Sequence, residues 1–121
     1  MNNFRKLIVW QKSIELVKDI YILTKTLPKE EKYNLISQMT RCAVSIPSNI
    51  AEGCSRTSEK EFRRFLEISL GSAFELETQL IIILETEYST KIALEPIFIQ
   101  IDQVQKMLNA YITKLKKGIR N

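Results

Sequence analysis

The sequence predicts an all-α protein, an antiparallel up-down-up-down four-helix bundle folded as a single domain over residues 1–121. Three observations carry that expectation. Only 3 Gly and 3 Pro occur among 121 residues, too little turn punctuation for an all-β chain of this size. Apolar residues recur at three- and four-residue spacings through four long stretches, the period of amphipathic helices. The connections between those stretches are short, which makes consecutive helices antiparallel neighbours.

The first helix is expected over residues 9–26. Trp10, Ile14, Val17 and Tyr21 mark one face, and Val9, Leu16, Ile20, Leu23 and Leu27 widen it. Leu27-Pro28 ends it, because a residue before proline avoids the α region. The second helix is expected over 29–54. Glu30 and Glu31 suit its positive end, and Leu35, Met39, Cys42, Ile46, Ile50 and Gly53 form its apolar stripe. Pro47 lies inside this pattern. It removes one hydrogen bond and crowds the Ala43 carbonyl, so a kink is expected there and not a stop.

The third helix, 59–87, opens on the capping box Ser58-Glu59-Lys60-Glu61. Phe62, Phe65, Leu66, Ser69, Ala73, Leu76, Leu80, Ile83 and Leu84 then hold one face. The fourth, 90–117, is capped by Ser89 or Thr90 and keeps its repeat from Leu94 to Leu115, with Pro96 distorting the first turns or marking the true start. A basic tail closes the chain over 114–121.

Composition excludes several classes of function. A hydrophobic share of 45% is too high for a disordered chain. The absence of His rules out a Ser-His-Asp triad, a Cys-His pair and the common zinc ligand sets. There is no Gly-rich phosphate loop, and Glu75 and Glu77, two residues apart, point to different sides of a helix. No catalytic residue, cofactor or metal is therefore assigned, and the chain is read as no enzyme. Cys42 and Cys54 would be about 18 Å apart on one helix, beyond disulfide reach, so both are read as small core residues in a reducing cytoplasm. The opening MNNFRKLIVW has too short an apolar run for a signal peptide, and no stretch is long enough to span a membrane.

The net charge of +4 is mild. It is also uneven, because Phe65 to Thr90 holds five Glu and no Lys or Arg. Two polar constellations stand out. Gln38, Arg41, Ser45, Ser48, Asn49, Glu52 and Arg56 fall within about 100° of a helical wheel. Small polar residues of this kind suit a close interface or a hydrogen-bonded pocket. Alternatively, Ser48 and Asn49 satisfy the backbone freed by Pro47. Arg41 and Glu52 are too far apart to pair, so each is expected to find a partner elsewhere, with Glu75 the candidate for Arg41. On this reading helices one and two carry a subunit interface. The second constellation is Arg56, Lys60, Arg63 and Arg64, beside the start of helix three. Helix N-termini and Arg forks suit phosphate, while solvated surface charge explains the same residues. Phe62 and Phe65 are expected in the core, leaving no ring here for base stacking.

Arg41-Cys42-Ala43-Val44-Ser45-Ile46-Pro47-Ser48-Asn49-Ile50-Ala51-Glu52-Gly53 resembles the signature of the 23S rRNA intervening-sequence protein family, also called four-helix bundle proteins. Val9-Trp10-Gln11-Lys12, Glu61-Phe62 with Phe65-Leu66, Gly71-Ser72 before Glu75-Leu76-Glu77-Thr78, and Lys106-Met107-Leu108 extend the likeness over essentially the whole chain. Relatives include the accessory variability determinants of diversity-generating retroelements, barrel-shaped homopentamers that bind nucleic acid and a reverse transcriptase. The resemblance therefore implies a four-helix bundle, a homopentamer, and RNA or DNA, a ribonucleoprotein or a reverse transcriptase as partners. It carries over no catalytic residue. The function expected is a non-enzymatic homo-oligomeric scaffold contacting structured RNA; the alternative is a protein-binding adaptor with no nucleic-acid role.

Overall fold

The computed structural model describes residues 3–118. Among them the chain forms four α-helices and no strand: α1 (Ile8–Thr24), α2 (Ser37–Cys54), α3 (Glu59–Glu85) and α4 (Lys91–Lys116). Residues 119–121 of the expected basic tail, and residues 1 and 2, lie outside the described part.

The core of α1 differs from the expected face. Its buried line is Val9, Ser13, Leu16, Ile20, Leu23 and Thr24. Trp10, Ile14 and Val17 are only half-buried, and Tyr21 is 46% exposed. Ser13 and Thr24 do not register in an apolar repeat. Their hydroxyls donate to the carbonyls of Trp10 and Tyr21, so they enter the core without an unpaired polar group. Val9, Leu16, Ile20, Leu23 and Leu27 are buried as expected, so the core face is centred on them and not on Trp10, Ile14, Val17 and Tyr21.

The second helix also starts differently. A 3-10 turn at Lys29–Glu31 and a π-helical turn at Lys32–Ile36 precede α2, so regular α-helix begins at Ser37 and not at residue 29. The helix then continues through Pro47, whose ring is buried. In α3 the Ser58 hydroxyl accepts from the Glu61 amide at 3.1 Å, as the capping box requires. The helix ends two residues early, at Glu85. The Glu87 amide bonds to the Leu84 carbonyl and the Tyr88 amide to that of Ile83, with Glu87 left-handed at φ 62°. This is a Schellman ending with Glu where Gly is usual. Thr90, not Ser89, caps α4 by accepting from Ala93 at 3.1 Å. Pro96 sits inside α4 and does not mark its start. The carbonyl it deprives belongs to Ile92, which is 88% exposed and can be hydrated.

The four helices pack in a ring, α1 on α2 and α4, α3 on α2 and α4. Leu16, Ile20, Met39, Ile46, Ile50, Leu66, Leu76, Leu80, Leu94 and Ile101 fill the centre. Each such side chain stabilises the fold by about 1.5–3 kcal/mol. Residue pairs set the register. Gly53 meets Phe62, Ile46 meets Ser69, and Cys42 and Ser45 meet Ser72, so numbers fall along α2 as they rise along α3. Phe62 meets the Tyr111 ring edge-on at 5.4 Å, Gln105 donates to Glu77 at 2.8 Å, and Gln100 donates to Asp19. The Tyr88 hydroxyl donates to Glu31 at 3.0 Å, tying the α3–α4 turn to the segment before α2.

Candidate functional site

The register of α2 against α3 builds a polar seam. Ser45 and Asn49 stand one turn apart on α2. The Asn49 amide donates to the Ser45 carbonyl at 2.8 Å and to its hydroxyl at 2.9 Å. That hydroxyl lies 2.8 Å from the Ser72 hydroxyl on α3. One turn away the Cys42 thiol donates to the Ser72 carbonyl at 3.7 Å, and the buried Ser69 hydroxyl donates to the Ile46 carbonyl at 2.9 Å. Gln38, Arg41, Cys42, Ser45, Ser72 and Glu75 line a groove of about 200 Å³ here. Burial pushes the Cys42 thiol up to about 12. The hydrogen bond and charge of Glu75 add to this, and the Gln79 amide opposes it. The thiol is therefore protonated at neutral pH and is no nucleophile. The groove offers hydroxyls, an amide, a guanidinium and a carboxylate, which can hold a small polar group but supply no activated atom.

Gln38, Arg41, Ser45, Ser48, Asn49 and Glu52 of this stripe lie on α2, Arg56 lies just beyond its end, and several partners differ from those expected. Arg41 and Glu75 line the same groove without pairing. Arg41 donates to Ser37 on its own helix at 3.3 Å, and the ion pairs among the described residues are Glu15–Lys18, Glu52–Arg56 and Asp102–Lys106. Glu52 needs no partner from elsewhere, because Arg56, four residues on, reaches it at 2.6 Å. Ser48 and Asn49 do not act together. Asn49 turns to Ser45, away from the Ala43 carbonyl that Pro47 frees. Ser48 is exposed on the other flank, in an apolar groove of about 350 Å³ between α1 and α2 with Trp10, Ile14, Val17, Val44 and Pro47.

The basic constellation also divides. The Arg56 guanidinium is held by Glu52 and lies 4.8 Å from the centre of the Phe65 ring, which makes it part of the α2–α3 corner. Phe65 is consequently half-buried under Arg56 and not in the core. Phe62 takes the core position instead because Gly53 leaves it room: a Cβ at residue 53 would stand 2.9 Å from the Phe62 ring. Lys60 and Arg64 are exposed and Arg63 half-buried, and none of the three joins an ion pair among the described residues. There is no group of three or more His, Cys, Asp or Glu side chains among the described residues that could hold a metal. No helix among them is long and apolar enough to cross a membrane.

The partner that sequence reasoning missed is Ser72. Two serines three apart, Ser69 and Ser72, interrupt the apolar face of α3. Their spacing matches the small residues of α2, and that pairing of small polar positions is the signal that could have located the seam.

The sequence model described as 23S rRNA-intervening sequence protein matches residues 5–110. No match is found among curated proteins. Among solved structures, the chain is similar to a crystal structure of a protein of unknown function from the S23 ribosomal protein family of Bacteroides thetaiotaomicron. The two share 33% identity over 87% of this chain and 98% of that one, with a TM-score of 0.81.

Proposed function

The chain belongs to the 23S rRNA-intervening sequence protein family, and from that premise we propose that it is a non-enzymatic helical scaffold that self-associates and contacts structured RNA, alone or in a ribonucleoprotein. The observation that carries the RNA contact is the trio Lys60, Arg63 and Arg64. These cations lie in the first turns of α3, outside any ion pair among the described residues, where both the helix dipole and the side chains favour phosphate. The register pairs of α2 with α3 support an antiparallel up-down-up-down arrangement. The apolar groove of Trp10, Ile14, Val17, Val44 and Pro47 supports self-association through α1 and α2, and the assembly proposed is a homopentamer. Ser45 is engaged with Ser72 of α3 and Asn49 with Ser45, so Arg41, Ser48 and the groove are the parts of the stripe left to such an interface. Two buried cysteines outside any disulfide suit a cytoplasmic protein.

The adaptor reading draws on a different surface. Phe74, Ile81 and Ile82 are 53%, 44% and 44% exposed on α3, an apolar strip that fits a protein partner. Titration of a labelled structured RNA over a salt series separates the two readings. Phosphate contacts release counterions and give a steep negative salt slope. Absence of binding at low salt, or binding indifferent to salt, favours the adaptor. Light scattering after size-exclusion chromatography tests self-association, which fails if the protein is monomeric at high micromolar concentration.

A further inference from the structure

Four separate stretches of chain meet at one end of the helices. Lys6 and Leu7 share a cleft with Tyr111 and Lys114. Tyr111 packs on Phe62, and Phe62 closes on Gly53. The start of α1, the end of α2, the start of α3 and the end of α4 are therefore neighbours. Each brings positive charge. Arg5 and Lys6 precede α1, and Arg56 follows α2. Lys60, Arg63 and Arg64 open α3, and Lys114, Lys116 and Lys117 close α4. The acidic residues beside them are Glu52, Glu59, Glu61 and Glu67, and Glu52 pairs with Arg56.

The opposite end is nearly balanced. There Tyr88 bonds to Glu31, and Thr26, Tyr88 and Thr90 share a cleft. Glu30, Glu31, Glu85, Glu87 and Glu95 gather around these contacts, facing Lys25, Lys29, Lys32 and Lys91. The mild net charge of +4 thus conceals a concentration of positive charge at one end and a near-neutral balance at the other.

The aromatic rings beside the α3 cations are occupied among the described residues, while Phe4 and Trp10 open onto the apolar groove between α1 and α2. Phe4 packs edge-on against Trp10 at 5.1 Å and carries the Arg5 guanidinium at 5.0 Å. Phe65 lies under Arg56, and Phe62 and Tyr111 are buried. An unstacked base needs a free ring, whereas a phosphate backbone needs clustered cations. We infer that this end is a docking surface for the phosphate backbone of double-stranded RNA, built jointly by Lys6, Lys114, Lys117 and the α3 cations. The inference rests on the RNA reading above and adds where the RNA sits and which form it takes.

The test compares two triple variants with the same change in net charge. Lys6→Glu/Lys114→Glu/Lys117→Glu alters the basic end, and Lys25→Glu/Lys29→Glu/Lys91→Glu alters the other. The 27 residues of α3 extend roughly 40 Å, about five Debye lengths at physiological salt, so one end cannot substitute for the other. The probe is a labelled RNA duplex of about 20 base pairs, read by anisotropy across a salt series. The basic-end triple is expected to bind at least about tenfold more weakly, with a salt slope shallower by about one unit per lost contact. The far-end triple is expected to stay within about twofold of the parent. Equal weakening in both triples would mean that only net charge matters and would overturn the inference. If the parent binds and the basic-end triple binds equally well, RNA binding stands and this docking surface fails. If the parent does not bind duplex or hairpin RNA, the RNA reading itself fails. Single-stranded RNA of equal length competing better than the duplex also overturns the inference. Should charge reversal impair folding, as read by circular dichroism, Lys6→Gln/Lys114→Gln/Lys117→Gln is expected to move the slope in the same direction.

Discussion

Ser45 on α2 and Ser72 on α3 place their hydroxyls 2.8 Å apart at a half-buried seam. The Asn49 amide reaches the same Ser45 hydroxyl at 2.9 Å. A hydroxyl can donate once and accept twice, so the three groups can satisfy one another without water. The small side chains let the helices approach closely, and the hydrogen bonds select one register. A double-mutant cycle with Ser45→Ala and Ser72→Ala should yield a coupling of about 0.5–1.5 kcal/mol in urea denaturation. Additive losses would mean that the two hydroxyls do not depend on each other.

Two glycines should respond in opposite directions. A Cβ on Gly53 would meet the Phe62 ring at 2.9 Å, the Phe65 Cβ at 3.0 Å and the Phe62 carbonyl at 3.2 Å. The last of these is backbone and cannot move aside without shifting α3. Gly53→Ala should therefore destabilise the protein by about 1–3 kcal/mol. Gly71 lies mid-helix, and a methyl group added there would meet nothing within 4 Å, so Gly71→Ala should stabilise the protein by up to about 1 kcal/mol. Thermal melts of both variants decide the matter; a stabilised Gly53→Ala would show that the α2–α3 corner is loosely packed.

Glu87 should improve on replacement by glycine. Its φ of 62° places a side chain where only glycine is unstrained. Glu87→Gly is expected to raise stability by about 0.5–1 kcal/mol, and Glu87→Ala is expected to bring no such gain. Equal melting temperatures for the parent and Glu87→Gly would contradict this.

Cys42 predicts a loss of stability in alkali. Burial first, then the Glu75 hydrogen bond and charge, raise the folded thiol from its ordinary 9.0 to about 12. Between those values the unfolded chain releases a proton that the folded chain keeps. Stability is therefore intact below pH 9 and falls as pH rises through the window. The stability difference between the parent and Cys42→Ala should shrink between pH 9 and 11 in urea titrations. A difference independent of pH would mean that the native thiol ionises normally.

Arg63→Glu with Arg64→Glu should weaken RNA binding and leave the fold intact. Arg64 is exposed and Arg63 half-buried, and surface substitutions usually change stability by less than about 0.5 kcal/mol. Unchanged RNA affinity in the double variant, with an unchanged melt, would reduce the pair to solvated surface charge.

Much of the fold was legible along the chain because local rules act within a few residues. The Ser58 cap, the Thr90 cap and the apolar lines of α2, α3 and α4 are properties of neighbouring positions. The apolar residues Val9, Leu16, Ile20, Leu23 and Leu27 of the first helix were legible too, but its centre was not, since Ser13 and Thr24 enter the core by donating to their own helix. The opening of α2 was not legible either. Glu30 and Glu31 resemble a first helical turn, yet the chain takes a 3-10 turn and then a π turn before Ser37.

The candidate site divides along the same line. Sequence alone established that there is no histidine chemistry, that helices dominate, and that residues 38–56 carry an unusual polar stripe. It could not assign partners to that stripe, because Arg41 bonds to Ser37 on its own helix and not to Glu75, the carboxylate expected for it. Only the packing of α2 on α3 decided that Ser45, with Asn49 bonded to it, meets Ser72 while Ser48 turns outward. Only the packing of all four helices brought Lys6 beside Lys114 and gathered the cations of four chain segments at one end. Helical periodicity reports which residues share a face of one helix. Which helix that face meets, and which chain ends lie together, depends on the shared core, whose contacts join residues far apart in the sequence.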